Sequence, residues 1–267
     1  MMTIAPDGTK YELTGPKSAP VVILIHGLGL NKECWQWMTP DLIDSYRVLS
    51  YDLYGHGGSL APNKQPSLSL FSQQLSTLLD HCNISQGVIV GFSLGGMIAR
   101  RFAQDAPQRS LAMIILHSPH TRSESAQAAI LARVDQARIM GPQSTVEAAL
   151  ERWFTSGFIE ANPNLMDTVR QWVIANSKET YYTIYSVLAT GIKEIVKPNP
   201  ALTLPALVLT GEEDFGNGPE MADAIAADIE GAKVLVFPGL RHMALVEAPT
   251  VVNKSILEFL DGLGLSD

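Results

Sequence analysis

The chain of 267 residues is poor in charged residues and has no long hydrophobic run. Charged residues make up 17%, and 27 acidic residues outnumber 19 basic ones, which gives a net charge of −8. Because no basic run is present, nucleic-acid binding has little electrostatic support. No apolar stretch reaches the ~18 residues that a transmembrane helix needs, and the N-terminus lacks the basic and apolar regions of a signal peptide. We therefore expect a cytoplasmic protein without a membrane or nucleic-acid partner.

Cysteine is also scarce, with only Cys34 and Cys82 in the whole chain. Neither belongs to a C-x-x-C pair, so we interpret both as reduced thiols of a cytosolic protein, although the sequence leaves open one disulfide between them. Asp52 and His56 lie near several glycines but stand alone rather than in a convergent set of metal ligands. We expect neither a metal nor another cofactor.

Short apolar strands alternate with amphipathic helices over most of the chain. Residues 21–25 have the continuous apolar character of a strand that is buried on both faces. An opening hairpin at residues 3–13 and later strands at 46–52, 88–90, 112–117, 206–210 and 233–237 bring the predicted total to eight. Helices are predicted at 67–79, 94–103, 219–229 and 250–260. This alternation predicts the α/β class, with a mostly parallel sheet covered by helices on both faces.

The alternation breaks between residues 123 and 195. This stretch contains four predicted helices, at 126–140, 145–153, 164–176 and 180–188, and it concentrates aromatic residues. We interpret it as a helical insertion into a single domain whose core comprises residues 1–122 and 196–267. In such sheets ligands bind at the carboxyl ends of the strands, and the insertion follows one of these ends. We therefore expect the insertion to lie over the site as a lid.

Residues 91–95 form the pattern G-x-S-x-G, with Ser93 at its centre. The pattern lies between a predicted strand and a predicted helix, and a serine at such a sharp turn is typical of the nucleophile of a serine hydrolase. Glycine is needed on both sides because neighbouring Cβ atoms would clash around the strained serine backbone. Ser93 is therefore the candidate nucleophile.

A serine nucleophile needs a histidine base and a carboxylate that orients the base, and in this type of turn they follow the serine in the order acid, histidine. Of the three histidines after Ser93, His242 lies on a loop after the last predicted strand, from which it can reach over the sheet edge. The preceding strand ends in three carboxylates, Glu212, Glu213 and Asp214. We favour Asp214 because the loop has room to turn before it; the alternative is that a neighbouring glutamate holds the histidine.

Two backbone N–H groups are candidates for stabilising an oxyanion. One belongs to Leu94, directly after the nucleophile, and the other to Leu28, in the loop after the strand at 21–25. Within the same loop, we interpret His26 as a structural histidine rather than a base. In the insertion, Trp153 and Phe154 are the aromatic residues that we expect to face a substrate.

Each of four further polar residues has two possible interpretations. His117 and His120 follow a strand end near the expected site, where they either line the pocket or have a structural role; we take His120 as a candidate for substrate binding. Arg122 and Arg241 either pair with a substrate carboxylate or are solvated surface charges.

Over nearly its whole length the chain resembles the α/β-hydrolase superfamily. Five motifs occur in the order typical of that superfamily, at residues 26–29, 51–59, 91–96, 211–214 and 241–242. Within it, the chain looks most like 3-oxoadipate enol-lactonases and related small serine esterases, through residues 151–155 and 248–253. The resemblance implies an α/β-hydrolase fold and also places the acid at Asp214.

The resemblance implies a hydrolase of small carboxylic esters or lactones that works without a cofactor. Ser93, His242 and Asp214 would form its catalytic triad. Haloalkane dehalogenases and epoxide hydrolases carry an aspartate at the position of Ser93, and the loop after His26 lacks the G-x-G-P-G-like pattern of carbon–carbon bond hydrolases. The alternatives are a non-catalytic ligand-binding protein on the same fold and a perhydrolase. The expected partner is a small molecule, and the sequence leaves the oligomeric state open.

Overall fold

The computed structural model describes residues 3–265, in which eight strands form one sheet. The strands are β1 (Thr3–Ile4), β2 (Lys10–Thr14), β3 (Val21–Ile25), β4 (Arg47–Tyr51), β5 (Gly87–Phe92), β6 (Ser110–Leu116), β7 (Ala206–Gly211) and β8 (Lys233–Phe237). They lie in the order β1-β2-β4-β3-β5-β6-β7-β8. The β1–β2 and β2–β4 pairs are antiparallel and the other pairs are parallel. The predicted mostly parallel, eight-stranded sheet is confirmed.

Burial explains why the central strands have continuous apolar sequences. In β3, residues Val22 to Ile25 are fully buried, and every residue of β5 is buried. Helices cover both faces there, so neither face of these strands tolerates a polar side chain. The edge strand β8 instead alternates exposed and partly buried residues. The central strands are therefore the most deeply buried part of the sheet.

Eleven α-helices connect and cover the strands in residues 3–265. They are α1 (Thr39–Leu42), α2 (Leu68–His81), α3 (Leu94–Asp105), α4 (Glu124–Met140), α5 (Val146–Trp153), α6 (Ser156–Ala161), α7 (Pro163–Ile174), α8 (Lys178–Thr190), α9 (Pro219–Ala227), α10 (Ala244–Glu247) and α11 (Pro249–Asp261). Ser67 caps the start of α2, because its Oγ accepts a hydrogen bond from the Leu70 N–H at 3.1 Å. Helix α3 packs against β5 and β6 and against α2. This packing holds the start of α3 firmly at the end of β5.

Between β6 and β7 the described chain contains helices and no strand. We call residues 124–194, with helices α4 to α8, the helical segment. Within it α4 packs against α8, and α5 packs against α7. Helix α6 is absent from the sequence-based prediction because Ser156 and Gly157, which open it, are weak helix formers. The four residues of α10 are too few to show a helical period, so it is absent as well.

Two other expectations concern the chain as a whole. Cys34 is buried and Cys82 half-buried, and both are free thiols, so the alternative of a disulfide between them is not realised. No helix in residues 3–265 combines the length and apolar character that crossing a membrane requires. The residues discussed for a signal peptide include Met1 and Met2, which lie outside the described residues.

Candidate active site

Three predicted site residues meet at the carboxyl edge of the sheet. Ser93 directly follows β5, Asp214 follows β7, and His242 lies on the loop after β8. All three line one cavity of about 110 Å³. The parallel order of β5, β6, β7 and β8 is what brings residues so distant in sequence to the same edge.

The backbone of Ser93 adopts a strained, left-handed conformation with φ +54°. Its N–H donates to the carbonyl of Leu116, in β6, at 2.8 Å. A Cβ at Gly91 would lie 2.3 Å from the Gly95 carbonyl oxygen, and one at Gly95 would lie 2.1 Å from that of Ile25. Only glycine fits either position, so the pattern at residues 91–95 has the steric cause predicted for it. Strain of this kind persists where the surrounding structure holds it, as it does at many functional sites.

His242 and Asp214 form a buried, hydrogen-bonded pair. His242 Nδ1 lies 2.7 Å from Asp214 Oδ2, while Asp214 Oδ1 accepts hydrogen bonds from the N–H groups of Gly216 at 3.2 Å and Asn217 at 3.1 Å. Burial raises the pKa of Asp214, but the adjacent imidazoles outweigh it and hold that pKa well below its usual range. The ring of His242 lies 4.9 Å from that of Phe92, the neighbour of the candidate nucleophile. An ionised Asp214 thus fixes the Nδ1–H tautomer of His242.

The two glutamates before Asp214 have other partners. Glu212 accepts a hydrogen bond from the Gly239 N–H at 3.0 Å, and Glu213 forms an ion pair with Arg241 at 3.5 Å. Both are exposed, and neither is among the described residues that line the cavity. Of the three carboxylates, the geometry favours Asp214 as the partner of His242.

His117 is a second histidine on the same carboxylate. It directly follows β6, has φ +49° and is fully buried. Its Nδ1 lies 3.0 Å from Asp214 Oδ2, while its Nε2 is buried without a hydrogen-bond partner in the described chain. Burial lowers the pKa of His117, and the hydrogen bond to Asp214 only partly opposes this. His117 is therefore a neutral Nδ1–H donor that helps to hold Asp214, and it does not line the cavity.

His117, Asp214 and His242 also form the one set of three candidate metal ligands found in the described chain, with ligand atoms within 4.8 Å of one another. A metal held by the two ring nitrogens that face Asp214 would need the lone pairs of both Nδ1 atoms. Both Nδ1 atoms instead approach the same oxygen, Oδ2, at the hydrogen-bond distances given above. Two N–H donors on one carboxylate account for this geometry.

The two candidate oxyanion donors lie on either side of Ser93. Leu94 begins α3, so its N–H has no partner within the helix. The loop of Leu28 approaches Ser93 closely, because a Cβ at Gly27 would lie 3.2 Å from the Ser93 Cβ. Within residues 3–265 neither the Leu28 N–H nor the Leu94 N–H donates a hydrogen bond. Both N–H groups are thus available to a ligand atom near Ser93.

Two buried histidines brace the loop that carries Leu28. His26 Nε2 accepts a hydrogen bond from the Leu53 N–H at 3.0 Å, and His56 Nε2 accepts one from the Gly29 N–H at 3.0 Å. Burial lowers the pKa of His26 to about 4 and that of His56 to about 3. Both histidines are therefore neutral acceptors, and each ties the loop after β3 to the loop after β4. This is the structural role expected for His26.

The three candidates for substrate binding lie in different surroundings. Trp153 lines the cavity, and its ring lies 6.2 Å from that of His242. Phe154 is fully buried, stacks on Phe158 and is not among the described lining residues. His120 is also absent from the described lining residues, and its Nε2 lies 3.0 Å from Asp228 Oδ2. Of the three, the structure places only Trp153 at the site.

Arginines at and near the site were only partly anticipated. Arg241 donates from Nη1 to the carbonyl oxygens of Glu151 and Phe154, both at 2.9 Å, so it ties the end of α5 to the loop of His242. Arg122 lines the cavity, and so do Arg133 and Arg152, which the sequence reasoning missed. Arg152 directly precedes Trp153, and that neighbour was the one signal in the sequence.

Comparison with known proteins shows the family of the chain. A family model described as the alpha/beta hydrolase fold matches residues 20–249. The chain belongs to this family. The matched region includes β3, where the loop of Leu28 begins, and extends past His242, so it spans every residue that lines the cavity.

Two proteins of Acinetobacter baylyi are similar to this α/β-hydrolase, and each match covers most of this chain and most of the relative. The chain is 30% identical over 247 residues to 3-oxoadipate enol-lactonase 2, covering 92% of this chain and 90% of that protein. It is 27% identical over 240 residues to (E)-2-((N-methylformamido)methylene)succinate hydrolase, covering 90% of each.

Solved structures show the same architecture. The enol-lactonase from Burkholderia xenovorans superposes with a TM-score of 0.86 at 24% identity, covering 96% of this chain and 98% of that one. A malate-bound thermophilic esterase from Thermogutta terrifontis superposes with a TM-score of 0.85 at 25% identity, covering 98% and 97%. At such identities these likenesses support the fold.

Proposed function

We propose that this α/β-hydrolase cleaves a small carboxylic ester or lactone through an acyl-enzyme, with Ser93, His242 and Asp214 as its catalytic triad. The observation that carries the proposal is the buried His242–Asp214 pair, 2.7 Å apart, in one cavity with a serine of strained backbone. The similarity to an enol-lactonase over 92% of the chain supports the ester or lactone as substrate.

The proposed mechanism gives each of these groups one role. His242 takes the proton of the Ser93 hydroxyl while the oxygen attacks the substrate carbonyl, and Asp214 stabilises the imidazolium that forms. The free N–H groups of Leu28 and Leu94 stabilise the oxyanion. His242 then protonates the leaving oxygen and later activates water against the acyl-enzyme. We also propose that residues 123–195 form the lid over this site, and that residues 1–122 and 196–267 form the hydrolase core.

The test is the Ser93→Ala variant. It removes the attacking oxygen and leaves the fold intact, so we expect hydrolysis of p-nitrophenyl acetate to fall by at least ~10³-fold. Ser255→Ala, on the distant helix α11, is the matched control and should keep the wild-type rate. Labelling by a fluorophosphonate probe should require Ser93.

Two results would contradict the proposal. A rate for Ser93→Ala within tenfold of the wild type would remove Ser93 from the mechanism. Absence of both turnover and fluorophosphonate labelling in the folded wild-type protein would favour a ligand-binding protein on the same fold.

A further inference from the structure

Three arginines surround the cavity that contains Ser93. Arg122 lies in the loop between β6 and α4, Arg133 on α4 and Arg152 on α5, and all three line the cavity. Asp214 is the only carboxylate among the described lining residues, and its oxygens already accept four hydrogen bonds. The wall is thus strongly positive in a chain whose net charge is −8.

The protein itself does little to neutralise these cations. In residues 3–265 Arg122 and Arg152 form no hydrogen bond and no ion pair, and Arg122 Nη1 is buried without a partner. Arg133 donates from Nε to the hydroxyl of Tyr185 at 3.1 Å, which is a neutral acceptor. All three arginines are half-buried. Partial removal of a guanidinium from water without an anionic partner is costly, and placing three together adds mutual repulsion.

The pKa shifts show the same conflict. Burial, and to a smaller extent the charge of Arg133, lower the pKa of Arg122 to about 10. Burial and Arg133 also lower the pKa of Arg152. Both groups remain charged at neutral pH. On α4, the helix that carries Arg133, the exposed Arg138 does have an anionic partner, because it pairs with Asp135 at 3.1 Å.

Resting on the proposed function, we propose that the natural substrate carries two carboxylates beside its scissile ester or lactone bond, and that Arg122, Arg133 and Arg152 bind them. A planar guanidinium fits a carboxylate with two parallel hydrogen bonds. A single carboxylate would leave two of the three charges uncompensated, whereas two carboxylates leave one. The remaining positive charge favours the oxyanion that forms beside Leu28 and Leu94.

The test compares succinate with butyrate, which has the same number of carbons and one carboxylate fewer. Binding is measured by calorimetry on Ser93→Ala at low ionic strength, where charge interactions are least screened. We expect succinate to bind at least tenfold more tightly than butyrate. Adding Arg122→Gln or Arg152→Gln should each weaken succinate binding at least tenfold, and adding Arg138→Gln should change it less than twofold.

The outcomes separate this inference from the proposed function, because binding is read without turnover. Equal affinities for succinate and butyrate, or unchanged succinate binding in folded Arg122→Gln and Arg152→Gln, would overturn the two-carboxylate site. If either variant fails to fold, its lysine counterpart keeps the charge but loses the bidentate fork, and binding should still weaken. Succinate binding without Ser93-dependent hydrolysis would contradict the proposed function but would still support the arginine site.

Discussion

The sheet region, which we define as residues 3–123 and 195–265, and the helical segment supply different chemistry to one cavity. The sheet region provides Ser93, Asp214 and His242 on loops whose backbone is fixed by close contacts and hydrogen bonds. The helical segment provides Arg133 and Arg152, which reach the cavity from the sides of helices. Groups that exchange protons need fixed backbone positions, whereas long side chains on helices can recognise charge at a distance. We therefore expect reactivity and specificity to respond to substitutions in different regions.

The distribution of titratable groups sharpens this comparison. All six histidines lie outside residues 123–195. Burial lowers the pKa of His26, His56 and His117, and these three act as neutral hydrogen-bonding groups in the sheet region. The helical segment instead supplies permanently charged arginines to the cavity. At the cavity, changes of pH between about 5 and 7 should thus act through the sheet region.

The largest expected effect comes from Asp214→Asn. The amide cannot accept the Nδ1–H of His242 as a carboxylate does, so the imidazole loses the required tautomer and kcat should fall by ~10⁴-fold, or about 5 kcal/mol of barrier. In steady-state kinetics, Asp214→Asn should lower kcat by the same factor for neutral esters as for anionic esters. Glu212→Gln should keep kcat within about threefold, and a large loss there instead would assign the acid to Glu212.

The second effect concerns pH and the loop that carries Leu28. The pKa of His26 is about 4 and that of His56 about 3, against 6.5 for an ordinary histidine. As the pH falls below 6.5, His26 and His56 become protonated in the unfolded chain but stay neutral in the folded chain. The contribution of the two neutral histidines to the free energy of unfolding is therefore fully present above pH 6.5 and is lost as the pH falls toward 4. The expected loss is up to about 3 kcal/mol for each histidine.

Urea unfolding at several pH values measures this loss. His56→Gln retains an acceptor for the Gly29 N–H but cannot be protonated, so its stability should depend less steeply on pH than that of the wild type. His81→Gln, on the outer part of α2, serves as the control and should keep the wild-type slope. Equal slopes for His56→Gln and the wild type would contradict the neutral-acceptor role.

The smallest expected effect is that of His117. Phenylalanine at this position removes an N–H donor to an ionised carboxylate, a contact worth about 1.5 kcal/mol, so kcat should fall about tenfold with little change in KM. His117→Asn retains a donor and should recover part of the rate. An equal loss in both variants, with lowered melting temperatures, would mean that His117 only fills space.

Local sequence predicted much of the sheet region because its constraints are local. The apolar run at residues 21–25 predicts a buried strand, and Gly91 and Gly95 allow the turn at Ser93. The neighbours Trp153 and Phe154 show where this reasoning ends. Both are aromatic, and Trp153 ends the short helix α5 while Phe154 directly follows it. Trp153 lines the cavity, whereas Phe154 is buried against Phe158. An eight-residue helix is too short for its periodicity to decide between them.

By itself the sequence determined the class of fold, the order of its strands and helices, and the turn at Ser93, since strand burial and steric freedom at glycine depend on neighbouring residues. Only the tertiary structure decided that His117 shares Asp214 with His242, and that Arg122, Arg133 and Arg152 converge on one cavity. These groups are far apart in the chain and act through distances of a few ångströms. Such distances are set by how helices and strands pack, which no local pattern records.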